Sequence, residues 1–82
     1  MTKPEIELLK NSIDKNVEIR TVDGEILVAK VNTVIHWDEH GEHEITYRVV
    51  SSNKMAWYER HGKDEYYVLD FERIISVKPA DR

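Results

Sequence analysis

The chain has no cysteine in its 82 residues. That excludes a disulfide framework, thiolate nucleophiles and thiolate metal ligands, and it fits a reducing compartment. No apolar run approaches the ~20 residues that a bilayer-crossing helix needs. The N-terminus carries no basic-then-apolar signal segment, so a cytoplasmic location is expected. Internal repeats and low-complexity segments are absent. So are the familiar catalytic arrangements: there is no serine with a paired base, no nucleotide-binding glycine loop and no carboxylate dyad. The expectation is a non-enzyme, with no catalytic residue, no cofactor and no membrane partner. A formal charge of −4 argues mildly against a nonspecific grip on phosphates, which relies on clustered Lys and Arg.

The residues that are present describe an ordinary globular chain, 40% hydrophobic and 34% charged. Its length suits one domain, 1–82, which buries roughly 60% of its unfolded surface. Residues 2–13 read as a helix, with Thr2 and Glu5 at capping-box spacing and Pro4 in the first turn. Ile6, Leu9 and Ile13 form a stripe that Leu8 widens, and the stripe must dock to be stable.

From Val17 to Val31 the pattern is strand, turn, strand. Val17 and Ile19 alternate with Glu18 and Arg20, and Leu27, Ala29 and Val31 alternate on the return. Asp23-Gly24 between them predicts a primed hairpin turn. The second strand continues to Trp37 with a bend at Asn32-Thr33, and Ile45, Tyr47 and Val49 mark a third strand. Ser51 to Lys54 reads as a turn or bulge, Met55 to Glu59 as extended chain, and Arg60 to Asp64 as another turn. Glu65 to Leu69 reads as a strand, Asp70 to Arg73 as a single 3₁₀ turn. Ile74 to Lys78 is a last strand stopped by Pro79, ahead of a frayed tail, 79–82. Ile19, Leu27, Ala29, Val31, Tyr47, Leu69, Ile75 and Val77 are the expected buried set.

This order resembles the Sm-like fold, a branch of the Src-homology-3-like small barrels. In residue detail the resemblance rests on Asp23-Gly24, Leu27, Ala29 and Val31. It implies a mainly β fold with one N-terminal helix, in which residues 17–78 form a small, strongly bent, five-stranded antiparallel barrel. It also implies self-association through edge strands. The family's RNA-contact motifs are not matched. Ile35 stands where an Asp belongs, and Val68 to Ile74 lacks the Arg-Gly pair. An oligonucleotide/oligosaccharide-binding barrel is the alternative fold.

Two surface clusters stand out. His36, His40 and His43 lie in an acidic loop whose imidazoles and carboxylates suit a divalent ion. The spacing matches no standard metal signature, and a solvated loop that guards a sheet edge is the preferred reading. No metal ligand is assigned. Lys54, Trp57, Tyr58, Arg60 and Lys63 combine cations with aromatics and form the candidate partner or nucleic-acid face, which Arg48 and Arg73 extend. The leading expectation is an interaction module that binds a protein partner or itself. Nucleic-acid binding comes second, and metal binding through the His36–His43 loop third.

Overall fold

The computed structural model of the chain describes residues 2–36 and 43–80. Helix α1 spans Lys3–Lys10, and both arms of its capping box form: Thr2 Oγ1 accepts from the Glu5 N–H while Glu5 accepts from the Thr2 N–H. The helix is shorter than the sequence suggests. After Lys10 the chain turns through Asn11 to Lys15, Asp14 takes φ 65°, and its N–H bonds to the Val31 carbonyl at 2.7 Å. Ile13 is therefore exposed, and Leu9 is the α1 side chain that becomes fully buried, with Ile6 and Leu8 packed beside it.

Glu5 has a second task. Its Oε2 accepts the Val77 N–H at 2.9 Å, so the helix cap also pins the last strand. The bonds from Thr2 and Val77 hold the Glu5 carboxyl below its ordinary value of 4.5. A folded-state pKa below the unfolded one means that this stabilisation is complete above the unfolded value and is lost as pH falls through the folded one. Acidification from about pH 5 to about pH 3 is expected to lower the urea midpoint. Glu5→Gln should flatten that acid slope, and an unchanged slope in the variant would contradict the assignment.

Strands β1 (Asn16–Thr21) and β2 (Ile26–His36) form the predicted hairpin, with Val17 opposite Ala29 and Ile19 opposite Leu27. The turn itself differs from expectation. Thr21 N–H bonds to the Glu25 carbonyl and Gly24 N–H to the Thr21 carbonyl, and only Gly24 takes positive φ, at 90°. This is a three-residue connection closed by a glycine in the left-handed region, rather than a two-residue primed turn. An exposed Val22 is accommodated because its N–H finds the Arg73 carbonyl.

Strand β3 (His43–Ser52) pairs with β2, β4 (Tyr67–Asp70) pairs with β3, and β5 (Ile74–Pro79) pairs with β1. All pairings are antiparallel, in the order β4-β3-β2-β1-β5. Among the described residues no ladder joins β4 to β5, so the sheet is open. The predicted bend in β2 is present: its register with β3 shifts between Val31 and Thr33. The extra residue moves the inward position from Thr33 to Val34, which packs against the core. A 3₁₀ turn at Phe71–Arg73 links β4 to β5 as expected.

Two further expectations fail for clear reasons. Ile75 is not in the core; it is 61% exposed, while Ile74 and Val77 are buried. The ladder between β1 and β5 is irregular at Arg20/Thr21, and the extra β5 residue places positions 74 and 77 on one face. Residues 55–59 are not extended. Met55–His61 forms helix α2, ended by Gly62 at φ 115°, whose N–H bonds to the Tyr58 carbonyl. A side chain at Gly62 would be strained by that φ and would meet Glu65 Cγ at 2.6 Å.

The core lies on one face of the sheet. Leu27, Ala29 and Val31 form its centre, opposite Ile19, Val17 and Tyr47 on the neighbouring strands. α1 contributes Leu9, α2 contributes Tyr58, and the 3₁₀ turn contributes Phe71.

Candidate binding cleft

The inward alternation of β2 reaches back to the residue just before the strand. Two positions before Leu27 is Glu25, at the end of the hairpin turn, and it is only 9% exposed. Its Oε2 accepts from Ser52 Oγ at 2.7 Å and from Tyr58 Oη at 2.7 Å. Tyr47 Oη lies 2.8 Å from Tyr58 Oη. Since the Tyr58 proton is committed to the carboxylate, the Tyr47 hydroxyl must donate to Tyr58. Burial, then the bonds to Tyr47 and Glu25, push the Tyr58 phenol well above its ordinary range, and burial also raises Tyr47. Both hydroxyls stay protonated at neutral pH.

Glu25, Tyr47 and Tyr58 of this network line a cleft of about 320 Å³ between the hairpin turn, α2 and β4. The rings of Trp57, Tyr58 and Tyr67 meet near it. Trp57 and Tyr58 are edge-on at 5.1 Å, and Tyr58 and Tyr67 are edge-on at 5.1 Å. Tyr67 Oη is fixed by the Gly62 carbonyl at 2.6 Å. Trp57 stays 42% exposed and stacks on His61, with ring centroids 4.1 Å apart. The His61 Nδ1–H donates to the Trp57 carbonyl at 2.8 Å, the helical i to i+4 relation that a strand would forbid. Leu69 and the exposed Val68 of β4 complete the apolar side.

The mouth carries charge. Asp23 Oδ2 accepts from Lys54 Nζ at 2.6 Å and lies 3.7 Å from an Arg73 nitrogen, and Thr21 Oγ1 also donates to Asp23. The Lys54 bond is the main reason that the Asp23 carboxyl lies far below the usual carboxylate range, and the Thr21 bond adds to it. Asn53 ties the turn to β3, since its Nδ2–H donates to the Gly24 carbonyl and its Oδ1 accepts from the Ile26 N–H.

The five residues singled out in the sequence therefore separate. Lys54 and Trp57 border the cleft, and Tyr58 is buried inside it, so Tyr58 presents no outward ring. Arg60 and Lys63 stand exposed on and just after α2. Of the cations that extend the face, Arg73 is drawn to Asp23, and Arg48 pairs with Asp64 at 3.5 Å and lies over the Tyr66 ring. Of the histidine cluster, His40 lies outside the described residues. His43 stacks on Phe71 with centroids 5.8 Å apart. Among the described residues no group of three His, Cys, Asp or Glu side chains is placed to hold a metal, and no helix is long and apolar enough to cross a membrane.

Glu25, Tyr47 and Ser52 were not picked out from the sequence as site residues. For Glu25 the signal was available: counting back by two from Leu27 reaches it.

Comparison with family models, with curated proteins and with solved structures yields no match.

Proposed function

We propose that the chain is a non-enzymatic interaction module, and that it binds a protein partner on the face formed by α2, the cleft and β4. One observation carries this reading. Trp57 and Val68, 42% and 58% exposed, line the same cleft beside the outer edge of β4. A half-exposed Trp over a pocket is the anchor chemistry of interface hot spots, and an unpaired strand edge offers backbone bonds to an extended segment. The strand order, with a 3₁₀ turn between the two edge strands, supports an Sm-like small barrel as the scaffold. In that case a second copy docks on the outer edge of β4, on this same face.

The test pairs affinity capture with light scattering. The double variant Trp57→Ala, Val68→Lys should lose the proteins captured by the wild type while keeping the wild-type fold by circular dichroism. Unchanged capture would overturn the reading. Light scattering of the purified chain separates a second copy from a foreign partner. Nucleic-acid binding is not favoured, because Lys54, Arg73 and Arg48 are engaged by carboxylates. Mixed single-stranded oligonucleotides at low salt should show no salt-sensitive binding.

A further inference from the structure

The Glu25 network has an unusual balance of donors and acceptors. Three hydroxyl protons can be placed, and all are spent. Ser52 Oγ donates to Glu25, Tyr58 Oη donates to Glu25, and Tyr47 Oη donates to Tyr58. What remains is acceptor capacity, in the spare lone pairs of the Glu25 carboxylate and of Tyr47 Oη. Both residues line the cleft. Among the described residues the donors to this buried carboxylate are neutral hydroxyls, which bring no compensating positive charge. The cations that line the cleft do not supply it. Lys54 and Arg73 both turn to Asp23 at the mouth, and among the described residues neither forms an ion pair with Glu25.

We infer that the cleft takes up a primary ammonium group on a short alkyl stem, with the Glu25 carboxylate as its anchor and the Trp57 and Tyr67 rings along the stem. The ammonium brings three donors and a charge to a site that has acceptors and lacks a cation. Aromatic faces attract a cation electrostatically and also cover its methylene stem. The volume of about 320 Å³ lies at the small end of ligand pockets and suits a side chain rather than a whole cofactor. The same chemistry comes from a partner's lysine or from a free alkylamine. The lysine case rests on the partner-binding reading above; the free-amine case stands without it.

The test is a titration followed by ¹H–¹⁵N NMR. The probes are Nα-acetyl-lysine methylamide and n-butylamine as its ammonium salt. The Nε-acetylated lysine derivative and n-butanol serve as uncharged controls. Saturable shifts of the Glu25 and Gly24 amides and of the Trp57 indole N–H are expected with at least one charged probe and with neither control. Saturation by both probes supports a lysine ligand, and saturation by n-butylamine alone supports a free amine. Glu25→Gln should weaken binding by roughly tenfold or more, equal to about 1.4 kcal/mol. If that variant fails to fold, Trp57→Ala, which alters only a half-exposed wall, should weaken it instead. Shifts that do not saturate, shifts matched by the uncharged controls, or binding unaffected in the folded variant overturn the inference. Lost capture in the Trp57/Val68 variant without amine binding would defeat this inference and leave the partner-binding reading standing. Amine binding with unchanged capture would do the reverse.

Discussion

Leu27→Ala is expected to destabilise the chain by about 2–5 kcal/mol in urea unfolding. Leu27 is fully buried at the middle of the sheet, opposite Ile19. Removing its branched end leaves a hole that flanking strands cannot close, because each is held by ladders on both sides. The neighbouring Ile26 faces outward, and Ile26→Ala should cost less than about 1 kcal/mol. The pair measures the register directly, since a one-residue slip would exchange the two results. A larger loss for Ile26→Ala would refute the hairpin as described. In so small a domain, a loss at the upper end of the Leu27 range removes much of the total stability.

Tyr58→Phe is the second substitution with a large expected effect. It keeps the ring and deletes the hydroxyl that joins Glu25 to Tyr47. A buried carboxylate then loses a donor and a buried phenol loses its acceptor, at a cost of about 1.5–3 kcal/mol. Tyr47→Phe removes only the outer bond of the chain and should cost about 1 kcal/mol. That order follows from the place of Tyr58 in the middle of the chain, with two bonds to the one of Tyr47, and the reverse order would contradict it. Both phenols have folded-state values raised above the ordinary 10.0. Their stabilisation is complete below the unfolded value and is lost as pH rises through the folded one. Absorbance titration should therefore show these two tyrosines ionising only with alkaline unfolding.

The hairpin, the bend in β2, the capping box and the 3₁₀ turn were legible because each depends on local chemistry: a glycine at positive φ, alternation of period two, or a side chain that caps its own helix. Helix α2 was not, although its signals were present. Met55, Ala56, Glu59 and Arg60 favour helix, basic residues fill the last turn, and Gly62 closes it. The adjacent aromatics Trp57-Tyr58 suggest a strand, yet in the helix one ring is buried and the other stacks on His61 four residues on. Ile74 and Ile75 exchange places because a bulge is a property of two paired strands, not of one. The cleft was the least legible part. It needs Glu25 from the hairpin, Ser52 and Tyr47 from β3, and Tyr58 from α2, residues that only tertiary packing brings together. Glu25 follows a turn, where an acidic side chain normally faces water, and alternation from Leu27 is the one sequence feature that points it inward.

The central claim is that the α2–β4 face is where a partner binds. Site-specific photo-crosslinking tests it most directly, with a benzophenone side chain placed at Val68 on that face and, as control, at the equally exposed Ile75 of β5. The account predicts a discrete crosslinked species from Val68, absent from Ile75 and lost when Trp57→Ala is added. No product at Val68, or the same product from both positions, would contradict it.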